Sequence, residues 1–201
     1  MSVLEAIRRA TGALHDQLEG ELDIVRRLAC IGERRSILCR FHAMHATAEA
    51  ALQPHLRLVP DLEFARRLKV PALRNDLRAL GVRTEVQAAE PSLELRASLP
   101  TLRSVQQALG VAYVLEGSTL GGRIIRKRVA AAGGSLLGMS FFDGYGPATG
   151  EQWRRFCVVL ERDCASHVAD AVTGAVAGFW FARAALLEKG KQGEMGLSVG
   201  R

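Results

Sequence analysis

The chain has 201 residues, 48% of them hydrophobic and 24% charged, which is the balance of one globular domain long enough to bury a single core; disordered, collagen-like and coiled-coil classes are excluded. Its formal charge is +6, and 23 of its 27 basic residues are arginine, whose planar fork suits carboxylates and phosphates. The arginines are dispersed in doublets such as Arg8–Arg9 and Arg154–Arg155, and aromatic residues are only 5% of the chain, a poor match to a nucleic-acid surface. The longest uncharged stretches, Val129 to Phe142 and Ala171 to Phe181, are shorter than the ~18 apolar residues that suggest a membrane span. Glu5 precedes any apolar run and the four cysteines form no paired framework, so a reducing, cytoplasmic compartment is expected.

Ser2-Val-Leu-Glu5 has the form of a capping box and opens a helix whose Leu4, Ile7, Thr11, Leu14 and Leu18 draw one stripe, ended by Gly20. A short helix follows over Asp23 to Ala29. Ile37, Leu38, Phe41, His45, Ala48 and Leu52 predict a further amphipathic helix that Pro54 terminates. Five of the six prolines lie between residues 54 and 100, leaving short helical pieces such as Leu62 to Leu68 and Ala72 to Leu80. From Thr101 to Val129 the pattern predicts one long helix interrupted by Gly117, Gly121 and Gly122. A loop rich in Gly, Phe and Tyr, Phe141 to Pro147, leads to a second apparent capping box, Thr149-Gly-Glu-Gln152, and a last long helix from Trp153 through Phe156, Leu160, Cys164, His167 and Ala171 to Phe179. Strand-like alternation is almost absent. The expectation is an all-α single domain over residues 1–188 with a flexible, glycine-rich polar tail over 189–201.

His15 lies at the edge of the first stripe with Glu19 one turn on. A carboxylate so placed can orient an imidazole toward a metal, or can simply be the packing partner of a half-buried histidine. His42 and His45, with Glu49 beyond, are spaced for a divalent ion, yet a closed site wants four ligands and no CxxC or HExxH completes the set. The Glu-x-x-His motifs of a di-iron bundle are missing. The sharpest feature is the run Tyr113 to Arg126. Three glycines inside one helix cost roughly 1 kcal/mol each relative to alanine, so something must come close to the backbone. Either a neighbouring helix packs on Gly117, Ser118, Gly121 and Gly122, or a large flat ligand lies there; the residues leave both open. Arg123, Arg126, Lys127 and Arg128 follow, as cations for acidic groups or as a solvated helix end.

Taken together, Leu4…Arg8…Thr11-x-x-x-His15-x-x-x-Glu19, the run Glu116-Gly-Ser-Thr-Leu-Gly-Gly-Arg123 and the segment Phe141 to Trp153 resemble the bacterial heme oxygenases, especially those that accompany bacteriophytochromes, over most of residues 4–187. The resemblance implies a heme-oxygenase-like helical bundle with a glycine-kinked distal helix. Its implied reaction cleaves heme at a meso carbon to biliverdin, ferrous iron and CO, with O2 and electrons from an external ferredoxin, flavodoxin or reductase; a bacteriophytochrome is an implied acceptor of the biliverdin. It further implies His15 as the iron ligand and Glu19 as the carboxylate that orients it. Gly117, Ser118, Gly121 and Gly122 would lie over the opposite heme face, and Arg8, Arg123, Lys127 and Arg154 would be partners of the heme propionates. Ser118 stands where mammalian members carry aspartate, which keeps a second expectation open: a heme or bilin carrier of the same fold.

Overall fold

The computed structural model describes residues 1–83 and 92–187, so the expected tail at 189–201 lies outside the described residues. Among the described residues the helices are α1 (Val3–Leu22), α2 (Ile24–Ala29), α3 (Ile31–Leu56), α4 (Val70–Ala79), α5 (Leu93–Ser98), α6 (Val105–Ala131), α7 (Thr149–Cys164) and α8 (Val168–Leu187), with no strand. The all-α expectation holds.

α1 starts at the capping box: Ser2 Oγ accepts from Glu5 N at 3.1 Å and Glu5 Oε2 accepts from Ser2 N at 2.9 Å. Two more free N–H groups, those of Val3 and Leu4, donate at 2.9 Å each to the Glu161 carboxylate of α7, which fixes where the helix begins. Pro54 does not end α3, which runs on to Leu56. Its ring removes one hydrogen bond in the last turn, and the buried Leu52 and Leu56 hold that turn against the core. The piece expected at Leu62 to Leu68 is a single 3-10 turn, Phe64–Arg67.

The second capping box does not form. Ala148 precedes α7 and Thr149 is its first residue; Thr149 Oγ1 donates to the Gly146 carbonyl at 2.8 Å and accepts from Tyr145 N at 3.1 Å, so it closes the preceding loop instead. The last long helix is two, α7 and α8, separated at Ala165 to His167, where neither glycine nor proline marks the break.

α6 and α8 form the centre of the domain, and small residues let their backbones meet. A Cβ on Gly110 would strike the Ala171 carbonyl, one on Gly174 the Gln107 carbonyl, and Gly178 lies on Val111 and Val114. α8 is 20 residues long with a mean hydropathy of 1.2, yet half of its apolar window is buried within the protein, as befits a core helix. The loop between α6 and α7 is pinned by the buried Asp76 of α4, which accepts from Ser140 N, Ser140 Oγ and Phe141 N at 2.7 to 2.8 Å. Phe41, Phe141 and Phe142 cluster under it, with ring centroids 5.0 to 5.7 Å apart. α1 and α6 both pack on α8 and scarcely touch each other, and α7 packs on both, so the gap between α1 and α6 is a cleft bounded by α8 and α7.

Candidate active site

The cleft side of α1 is a stripe the hydrophobic pattern does not show. Arg8, Gly12, His15 and Glu19 recur at helical spacing, and all four are exposed, whereas Val3, Ile7 and Thr11 are buried. The His15 side chain is 52% exposed, and its ring meets Phe179 of α8 edge-on, with centroids 6.0 Å apart and planes at 77°. That contact seats the imidazole against α8. Nothing lies within 4 Å of a Cβ built on Gly12, so open space adjoins the histidine. Glu19 Oε1 stands 3.6 Å from His15 Nε2 and Asp16 Oδ1 stands 3.5 Å from Nδ1. These separations give electrostatic company without a short bond, and the ring stays free to turn toward a ligand.

Across the cleft, the two readings of the glycine-rich helix divide residue by residue. Gly122 is a packing glycine: a Cβ there would strike the Phe142 carbonyl, so its expected place over a ligand face is corrected to a place against the loop. Gly117 faces Trp153, whose Cη2 and Cζ3 are each 3.8 Å from its Cβ position, an ordinary contact that covers this part of α6 with an indole ring. Gly121 has nothing within 4 Å of its Cβ position, and the neighbouring Ser118 is exposed, its hydroxyl donating to the Leu115 carbonyl at 2.7 Å. Gly121 and Ser118 are therefore the bare part of the helix.

The expected cations differ in their surroundings. Arg8 lies beside the Tyr113 hydroxyl and offsets part of the upward push that burial gives that phenol. Arg123, Lys127 and Arg154 are exposed, while Arg126 is partly committed to Asp143 at 3.2 Å.

Behind α6 is a buried ionic cluster that sequence spacing does not announce. Glu116 accepts from Arg67 Nη1 on one oxygen and from the Tyr145 hydroxyl on the other, both at 2.7 Å, and the Arg67 and Glu116 side chains are each 5% exposed. Lys69 Nζ lies 3.3 Å from the Tyr145 ring centroid, and burial lowers its pKa to about 8 against the pull of Glu116 and Glu49. Glu49 accepts from Lys69 N at 2.6 Å, and His45 presents a Nδ1 3.3 Å from Glu49 with neither ring nitrogen hydrogen-bonded. His45, Glu49, Arg67, Lys69 and Glu116 line a small cavity with room for water. No group of three or more His, Cys, Asp or Glu among the described residues is arranged to hold a metal ion, so His42, His45 and Glu49 do not form a clamp. Burial raises the Cys164 thiol to about 12, which suits packing rather than redox chemistry.

No protein-family model matches the chain. It is 35% identical over 145 residues to a heme oxygenase of Xanthomonas campestris pv. campestris (strain 8004), a match that spans 71% of this chain and 82% of that protein. The chain belongs to the heme oxygenase family. The structure of a heme oxygenase from Leptospira interrogans shares its fold with a TM-score of 0.64 at 17% identity, covering 91% of this chain and 100% of that one.

The residues of this heme oxygenase fit a flat tetrapyrrole on structural grounds. Gly12 and Gly121 supply two bare surfaces that a Cβ would partly fill, and His15 carries an imidazole that no short protein bond occupies. Sequence spacing singled out His15 and Glu19, which share the exposed face of α1, and Ser118 and Gly121, which are bare on α6; it missed Gly12 and Phe179. The Arg8-x-x-x-Gly12-x-x-His15-x-x-x-Glu19 spacing was the signal that could have found Gly12, whereas Phe179 needed the crossing of α1 over α8.

Proposed function

We propose that this heme oxygenase binds heme in the cleft between α1 and α6 and cleaves it at a meso carbon to biliverdin, ferrous iron and CO. The observation that carries the reading is that two helices packed on the same α8 each bare a surface: α1 presents His15, half-exposed over Phe179, and α6 presents Gly121 and Ser118. Heme, when bound, supplies the iron at which O2 is activated. His15 would ligate that iron through one ring nitrogen, and the carboxylate beside the other, Glu19 at Nε2 or Asp16 at Nδ1, would accept the remaining N–H and hold the ring's orientation. Gly121 keeps side-chain bulk away from the opposite face. Ser118, whose proton is directed to Leu115, offers oxygen lone pairs to water, a weaker anchor than the aspartate of mammalian members. Arg8, with Arg123, Lys127 and Arg154 around the rim, would neutralise the propionates.

Electrons would come from a ferredoxin, flavodoxin or reductase whose acidic face complements the arginine-rich surface. The motifs shared with the enzymes that accompany bacteriophytochromes support a cytoplasmic role in which biliverdin passes to such a photoreceptor. To test the reading, hemin is added to the purified protein and the visible spectrum recorded, then ascorbate or a ferredoxin system is supplied in air with catalase present. The expected result is a Soret band that decays as a broad red biliverdin absorption grows. A Soret band that persists under a working donor would replace the oxygenase by a carrier of heme, and no spectral change on adding hemin would remove the heme site altogether.

A further inference from the structure

Two flat walls hold a planar macrocycle along its normal and leave its rotation within the plane undecided. That rotation selects the meso carbon brought to the reacting position, and it is set by groups that meet the macrocycle's rim. The bulky side chain laid against the glycine-rich part of α6 is Trp153 of α7. Its ring reaches over Gly117, four residues before Gly121, with two ring carbons 3.8 Å from the Gly117 Cβ position.

The indole is firmly backed. It lies on Tyr113 with centroids 5.6 Å apart and stacks on Phe156 at 5.9 Å and 24°. Phe156 in turn has the Arg67 guanidinium 5.6 Å from its centroid, and Arg67 is ion-paired to Glu116 of α6 itself. Trp153 is only half-buried, so one part of this braced ring remains open, and its neighbour Tyr113 carries its hydroxyl to Arg8 on the cleft stripe of α1. A rigid aromatic wall thus runs from Gly117 toward Arg8, whereas the Gly121 side is empty.

We propose that Trp153 is a specificity-determining residue that fixes the in-plane seating of the tetrapyrrole and hence the meso carbon cleaved. This rests on the heme-binding reading above. Trp153 acts as a stop against one edge of the macrocycle, and Tyr113 and Phe156 act through it as positioning residues.

The test reads seating without turnover. The full chain is loaded with hemin, converted to the cyanide complex, and its heme methyl proton resonances are recorded for the wild type, Trp153→Ala and Trp153→Phe; biliverdin isomers from turnover are then separated by chromatography. The wild type should show one dominant methyl set and one dominant isomer, and Trp153→Phe should keep both. Trp153→Ala should lower the ratio of major to minor seating about tenfold, equivalent to about 1.4 kcal/mol, and release a second isomer in the same proportion. An unchanged methyl pattern in Trp153→Ala would overturn the proposal even with hemin bound and turned over. Should Trp153→Ala fail to fold, Trp153→Val, which keeps an apolar side chain but removes the ring's reach, decides in its place by the same criterion. Failure of the wild type to bind hemin would instead overturn the reading on which the proposal stands.

Discussion

The two halves of α6 use the same residue for opposite purposes. In the first half, Gly110 is filled from outside: α8 comes so close that even a methyl group would strike the Ala171 carbonyl. In the second half Gly121 faces nothing, and Gly12 on the opposing α1 faces nothing either. Glycine in one helix therefore serves both a tight helix crossing and an aperture. A helix weakened by several glycines needs to be held elsewhere, and Glu116, at the junction of the halves, is anchored by Arg67 and Tyr145.

The contrast can be broken at that junction first. Glu116→Ala leaves the Arg67 guanidinium buried without its partner and should cost about 3–5 kcal/mol in urea or guanidinium unfolding, the largest single effect expected here. Gly110→Ala should cost about 1–3 kcal/mol by the same measurement, because the clash is with backbone that cannot rotate away. Lys69→Met should be more stable than the wild type at neutral pH by about 1–2 kcal/mol. The folded pKa of Lys69, about 8, lies below its ordinary 10.5, so the unfolded chain holds more protons between those values. Wild-type stability should accordingly rise across that window relative to Lys69→Met, and a flat difference would show that Lys69 is not desolvated. Gly121→Ala should change least, gaining up to ~1 kcal/mol of helix propensity. Gly121→Leu should leave the melting curve near that of the wild type while abolishing hemin binding; loss of hemin in proportion to lost helicity would make Gly121 a packing glycine like Gly110.

Much of this was legible in the chain because it is local. The Ser2–Glu5 box and the stripe through Ile7 and Thr11 place α1, and the spacing of His15 to Glu19 places both on its open face. The Thr149 box misled because a threonine hydroxyl satisfies a nearby loop as readily as a helix start, here Tyr145 N and Gly146 O. The break between α7 and α8 carries no breaker residue and follows from how α8 lies against α6. The Glu116 cluster was out of reach for a different reason: Arg67 is 49 residues away and Tyr145 29 away, and no periodicity links charges that meet only after three separate segments converge. For the glycines, composition showed that backbone was bared and packing alone decided to what.

The central claim is that the cleft between α1 and α6 binds heme through His15, and the most direct measurement is the visible spectrum of hemin-loaded His15→Ala before and after addition of imidazole. The account predicts that the wild-type low-spin or six-coordinate ferric spectrum is lost in the variant and recovered in part when imidazole fills the space the ring vacated. A Soret band identical to that of the wild type, with no response to imidazole, would contradict it.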